Sequence, residues 1–316
     1  MDITLESIRA ASNRIRPLVK RTPVMTSRGF NERSGVEAYL KCENLQTGGA
    51  FKIRGAATFV STMDAAALAK GVVAFSSGNH AQAVAIAARN VGAKATVVMP
   101  EDAPKSKMQA TRDQGATILL YDRLKDDREA LGRKIAAETG ATLIPPYDHP
   151  LTVIGQGTCG LELIEEIPDL DAMVVCTGGG GLLAGCAVAM KGINPNIRVF
   201  GVEPELANDW ALSMAAGHPV SVDPSRTIAD GLRTPQPGSV TFPIVRKLVE
   251  GILLVTEDEI KETVKYLIGR MKIVAEPSGA VAAAAVLFGK VPAGLSGKVG
   301  ITISGGNVDW DLLRSL

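Results

Sequence analysis

Between residues 72 and 144 short apolar runs alternate with longer stretches of helical period, and that rhythm excludes most architectures. Strands are read at 72–75, 95–99, 118–121 and 142–144, and helices at 81–91, 106–114 and 128–139, the second ended by Gly115. Strands separated by helices of about 10–15 residues cannot close tight hairpins, so they pair in parallel through crossover helices. Pro145-Pro146 interrupts the rhythm, and a second series follows. It places a helix near 159–167, a strand at 172–176, a Gly-rich turn with a helix to 190, and strands at 198–202, 252–255 and 299–304. Thr256 and Glu259 have capping-box spacing and open a helix to about 271, and another helix covers 279–288. Before both series come a helix over 5–19 and a strand over 37–42, and residues 203–242 are Pro-rich and polar without a clear period. The expected fold is α/β, two open, mainly parallel-sheet lobes with flanking helices and a cleft between them. Ligands of such sheets bind beyond the carboxyl ends of the strands.

Composition narrows the function. The 316 residues leave room for about two domains of ~150 residues, and 46% hydrophobic content excludes a disordered chain. With 34 basic and 33 acidic residues the net charge is +1, so no overall field attracts nucleic acid or an acidic membrane. The N-terminus is acidic where a signal peptide needs basic residues, and the longest apolar stretch, 280–288, is about half the ~20 residues that span a bilayer. Cys42, Cys159, Cys176 and Cys186 have no paired spacing, and His80, His149 and His218 share no metal-ligand spacing. These features predict a cytoplasmic protein with a small-molecule substrate.

Four segments carry chemistry. Thr177-Gly178-Gly179-Gly180-Gly181-Leu182 leaves a strand and enters a helix. Its glycines expose N–H groups without Cβ obstruction, and the helix dipole adds positive potential, a combination suited to a phosphate. The dinucleotide fingerprint fails, because its third glycine would fall on Leu183, and no Walker lysine follows. Glu203 ends the next strand where a ribose-binding acid would sit, which keeps a nicotinamide site open, but a single phosphate monoester fits the turn better. Lys52, between Phe51 and Ile53, is a surface charge or, if partly buried, an amine ready for Schiff-base chemistry. Ser76-Ser77-Gly78-Asn79-His80 places polar groups at a helix start, suited to a carboxylate as well as to capping. Ser304-Gly305-Gly306-Asn307 closes the last strand.

Taken in order with residues 46–55, Gly155-Gln156-Gly157-Thr158 and Thr227-Ile228-Ala229-Asp230-Gly231, these segments are similar to one family. The chain resembles, over nearly its whole length, the fold-type II pyridoxal phosphate enzymes of the tryptophan synthase β-like fold, in the threonine/serine dehydratase and serine racemase branch. The resemblance implies a large cofactor domain of residues 1–70 and 148–316, a small domain of 71–147, and a homodimer. It implies pyridoxal 5′-phosphate held as an imine on Lys52, with its phosphate on the backbone of Gly178, Gly179, Gly180, Gly181 and Leu182. Asn79 would bond the ring hydroxyl and Ser304 the pyridine nitrogen. Ser76, Ser77, Asn79 and His80 would surround the substrate carboxylate, and Ser77 would serve as acid/base on the face opposite Lys52. The implied activity is dehydration of L-threonine, L-serine or a similar β-hydroxy amino acid to a 2-oxo acid and ammonia, with serine racemase or threo-3-hydroxyaspartate ammonia-lyase as alternatives. A neutral hydroxyl beside the pyridine nitrogen makes a weak electron sink, which favours prompt elimination.

The resemblance also matches Glu203, the Ala207 carbonyl and Asp209 to a divalent-metal site for Mg²⁺ or Ca²⁺, hard cations that take oxygen ligands, with a solvated acidic loop as the alternative. Arg128 matches an arginine that contacts dicarboxylates, or is a surface ion-pair partner. Gly48 and Ala50 stand where relatives often carry Thr and Ser, and Ala81 replaces a glycine common in animal racemases, so racemisation is less expected.

Overall fold

The computed structural model describes every residue except Ser77, Pro104, Arg123 and Leu124, together with the backbone alone of Ser106. The strands of the second series, joined by two from the N-terminal segment, form a six-stranded sheet. Its members are β1 (Val24–Met25), β2 (Glu37–Cys42), β7 (Ala172–Cys176), β8 (Arg198–Pro204), β9 (Gly251–Val255) and β10 (Lys298–Ile303), in the spatial order β1-β2-β10-β7-β8-β9. The first series supplies β3 (Val72–Phe75), β4 (Ala95–Pro100), β5 (Thr117–Tyr121) and β6 (Thr142–Leu143), in the order β5-β4-β3-β6. All pairs are parallel except β1 with β2. The α/β architecture with two parallel-sheet lobes is therefore as expected from the sequence.

Burial explains why the central strands read as continuous apolar runs. Every residue of β7 is buried, as is the whole Pro277–Leu287 helix, so both are covered on all sides. In β10, Ile301 lies opposite Leu40 of β2 and Val174 of β7, which locks three strands in register.

Several helices differ from the sequence reading. The opening helix stops at Ile15 rather than 19. A long helix, Pro150–Glu166, begins nine residues before the expected 159. Its first half contains Gly155-Gln156-Gly157-Thr158. In the structure Gly157 permits close approach to the Gly181–Ile193 helix, since a Cβ there would lie 2.7 Å from the Gly185 carbonyl oxygen. The aperiodic stretch holds helices at Asp209–Ala216 and Thr241–Leu248. The helix opened by the Thr256–Glu259 capping box is α-helical to Tyr266 and ends in a π turn over Leu267–Met271.

Lys52 starts a helix, Lys52–Val60, that sits where the two lobes meet. Its Ile53, Ala56, Phe59 and Val60 join the apolar cluster of the four-stranded lobe. Its opposite side carries Arg54, whose guanidinium binds Glu43 after β2 and Glu162 on the Pro150–Glu166 helix. Among the described residues no helix is long and apolar enough to cross a membrane.

Candidate active site

The carboxyl ends of β3, β7 and β10 open into one cavity. Its lining includes Lys52, Ser76, Asn79, His80, Arg128, all of Gly178–Leu182, and Ser304. Residues far apart in sequence thus share one space. Ser77 lies outside the described residues.

Lys52 Nζ donates a 2.8 Å hydrogen bond to the Pro146 carbonyl, and no carboxylate salt bridge to it occurs among the described residues. Burial lowers its pKa to about 8, because a charged ammonium loses solvation there. A substantial neutral fraction at neutral to mildly alkaline pH makes the amine nucleophilic.

The glycine turn shows why one small residue is not enough. Gly180 has φ +88°, a left-handed conformation, and a Cβ there would lie 2.2 Å from the Trp210 ring. A Cβ on Gly179 would lie 2.2 Å from the Tyr147 ring. The carbonyls of the turn are tied back, Gly178 by Trp210 Nε1 and Gly179 by Thr241 Oγ1 at 2.8 Å. With the carbonyls held elsewhere, the turn and the first helical N–H groups, which lack intrahelical acceptors, are left for an anion.

Two neutral groups stand beside the turn. Ser304, buried, donates to the Ser278 carbonyl at 3.4 Å. Burial raises the Cys176 thiol to about 11, so it carries no charge at neutral pH. His80 Nε2 lies 2.8 Å from the Ile144 carbonyl, which only accepts, so that nitrogen carries the proton. Burial, with Lys52 nearby, lowers the His80 pKa to about 3 and keeps the ring neutral. Arg128 lies over the Phe75 ring, 6.0 Å from its centroid, and faces the same cavity.

The acidic set Glu203, Ala207 and Asp209 is not part of this lining. All three residues are buried, which rules out a solvated acidic loop. Glu203 accepts the Trp210 and Ala211 N–H groups at 3.0 Å each, and neither Asp209 oxygen has a hydrogen-bond partner. Burial and the neighbouring Asp209 raise the Glu203 pKa, and burial raises Asp209 to about 7. Unpaired buried carboxylate oxygens suit a hard cation, although no group of three His, Cys, Asp or Glu side chains converges among the described residues.

Sequence reasoning missed Trp210, Thr241 and Tyr147, which shape the glycine turn, and Glu276, which accepts from Asn79. Nothing in their local sequence marks them, since their roles come from contacts across tens to hundreds of residues.

An amine of lowered basicity shares this cavity, at the strand ends of two parallel-sheet lobes, with a glycine turn suited to an anion, and the pair fits an enzyme that uses a phosphorylated carbonyl cofactor. Residues 15–305 match the family described as pyridoxal-phosphate dependent enzyme, and the chain belongs to it, in fold type II. It is 48% identical over 306 residues to L-threo-3-hydroxyaspartate ammonia-lyase of Saccharomyces cerevisiae, covering 97% of this chain and 94% of that protein. It is 46% identical to serine racemase of Schizosaccharomyces pombe, again over 97% and 94% of the two chains. The solved structure of maize serine racemase superposes with a TM-score of 0.96 at 42% identity, over 100% of this chain and 97% of that one. The protein is thus a pyridoxal-phosphate-dependent enzyme of the ammonia-lyase and racemase group.

Proposed function

We propose that the chain is an ammonia-lyase for β-hydroxy amino acids. It converts R–CHOH–CH(NH₃⁺)–COO⁻ to R–CH₂–CO–COO⁻ and ammonium, with L-threonine, L-serine and L-threo-3-hydroxyaspartate as candidates. The observation that carries this reading is the meeting of Lys52, the glycine cradle and the neutral Ser304 in one cavity. Bound pyridoxal phosphate supplies an electron sink for the substrate Cα.

The chain's own residues would do the rest. The backbone of Gly178–Leu182 would hold the phosphate, Asn79 the ring hydroxyl and Ser304 the ring nitrogen. Lys52 Nζ would anchor the cofactor, then take and hold the Cα proton. Ser76, Asn79 and the neutral His80 would orient the substrate carboxylate. A hydroxyl at Ser304, unlike a carboxylate, would not favour a protonated ring nitrogen, which would favour elimination of the β-substituent over reprotonation at Cα.

Arg128 favours L-threo-3-hydroxyaspartate among the three substrates, because a guanidinium in the cavity suits a second carboxylate. Serine racemisation is the second reading, supported by the likeness to the fission-yeast and maize racemases. It requires an acid/base opposite Lys52, the role Ser77 would have. Glu203, Asp209 and the Ala207 carbonyl would hold Mg²⁺ or Ca²⁺ outside the reacting centre.

The test is incubation of the holoenzyme with each of the three amino acids, measuring 2-oxo acid and D-amino acid together. Oxo acid as the main product, abolished by Lys52→Ala, is expected. D-serine as the main product, lost in Ser77→Ala, overturns the lyase reading.

A further inference from the structure

Glu276 sits at the N-terminus of the Pro277–Leu287 helix, yet its carboxylate caps nothing there. Its backbone is pinned, with its N–H donating to the Gly305 carbonyl at 3.1 Å and its own carbonyl accepting from Gly279 and Ala280. The buried side chain instead reaches into the cleft, where Oε1 accepts from Asn79 Nδ2 at 2.5 Å. On the other side Asn307 Nδ2 donates to Asn79 Oδ1 at 2.9 Å and to the Gly48 carbonyl at 2.8 Å. The Gly48 carbonyl can only accept, so the Asn307 amide orientation is fixed. Both of its protons are then used, and Asn79 must present its oxygen to Asn307 and its nitrogen to Glu276. One Asn79 N–H remains, on a residue that lines the cavity beside Ser304.

We propose that Glu276 is a positioning residue, which holds the Asn79 amide so that its remaining Nδ2–H, and not Oδ1, faces the ring hydroxyl of the cofactor. This rests on the placement of Asn79 beside that hydroxyl in the proposed function. An acceptor is what the position requires. A donor there would meet the Asn79 amide donor to donor and oppose the orientation that Asn307 sets. The packing leaves the carboxyl little freedom, since a Cβ on Gly305 would lie 2.1 Å from Oε1. Of the other charged groups that line the same cavity, Lys107 and Asp230 pair with each other at 2.8 Å, Arg233 donates to the Thr227 carbonyl, and Lys52 and Arg128 are those described above. Burial first, and then Asp230, raises the Glu276 pKa to about 8, and a carboxyl in either protonation state keeps a carbonyl-type acceptor for Asn79.

The experiment titrates apoenzyme with pyridoxal phosphate and reads the dissociation constant from absorbance, without any turnover. Glu276→Met removes the acceptor at similar volume, and a rise of about tenfold is expected, the size of one buried hydrogen bond. Glu276→Gln keeps an acceptor and is expected to restore most of the affinity. In an Asn79→Ala background neither change should weaken binding further, because the effect runs through Asn79. Asn307→Ala is expected to give a similar loss, again absent without Asn79, and so tests the idea even if E276M fails to fold. Wild-type affinity in E276M, an E276Q as weak as E276M, or losses additive with N79A overturn the proposal. If the wild-type protein itself fails to bind pyridoxal phosphate, the proposed function falls instead.

Discussion

Lys52 differs from an ordinary surface lysine in being held in a cleft, and the consequence is measurable. Its pKa is lowered to about 8, so the neutral, nucleophilic fraction of the apoenzyme grows as pH rises through that value. The rate of pyridoxal phosphate capture should therefore rise with pH and level off above about 9, as followed by stopped-flow absorbance. A rate flat from pH 6 to 9 contradicts the burial argument. Arg128 offers a second single-residue expectation. Arg128→Leu should lower kcat/KM for L-threo-3-hydroxyaspartate about tenfold to a hundredfold while changing L-serine far less, since only the former has a second carboxylate. At this scale the sequence singled out Lys52 only through the family resemblance, since by itself a lysine between Phe51 and Ile53 is as readily a surface charge. It could not distinguish a buried Lys52 from an exposed one, because the Pro146 carbonyl that receives it lies 94 residues away.

The elements explain how those residues are held. The glycine turn depends on Trp210, whose backbone N–H is fixed by Glu203 and whose indole ties back the Gly178 carbonyl. Trp210→Phe keeps the ring but frees that carbonyl, and should weaken pyridoxal phosphate binding about fivefold to tenfold in an equilibrium titration. The lysine helix is fastened by a buried network of Arg54, Lys41, Glu43 and Glu162. Although burial opposes ionisation, Arg54 and Lys41 hold the Glu162 carboxyl below its ordinary pKa. Arg54→Met leaves buried Glu43 without a cation and Glu162 with Lys41 alone, and should cost about 3–5 kcal/mol in urea denaturation, more than an exposed ion pair would. Strand positions were legible because apolar runs bounded by turns leave few alternatives. The first half of the Pro150–Glu166 helix was not, because glycine disfavours a helix locally, while in the folded chain Gly157 serves helix packing.

At the scale of the whole molecule, the buried Glu203–Asp209 pair gives the proposed cation site a stability readout. Burial raises the pKa of both carboxyls and neither Asp209 oxygen has a hydrogen-bond partner, so a divalent ion binding only the folded state would stabilise it. Saturating Mg²⁺ or Ca²⁺ should raise the thermal midpoint by about 5 °C over chelated protein, a response lost in Asp209→Asn, and scanning calorimetry decides it. Across the cleft the lobes meet through the Lys107–Asp230 ion pair and the Asn79–Glu276 contact.

By itself the sequence determined the parallel α/β plan and the glycine-rich turn, because apolar period and turn chemistry act within a few residues, and its ordered motifs carried the family likeness. The tertiary structure alone decided which polar groups meet: Asn79 with Glu276, Trp210 with the glycine turn, Arg54 with its two carboxylates. Those partners are between 11 and 197 residues apart in the chain. Only the docking of sheets and helices chooses them, since no local propensity encodes the contact that satisfies a buried polar group.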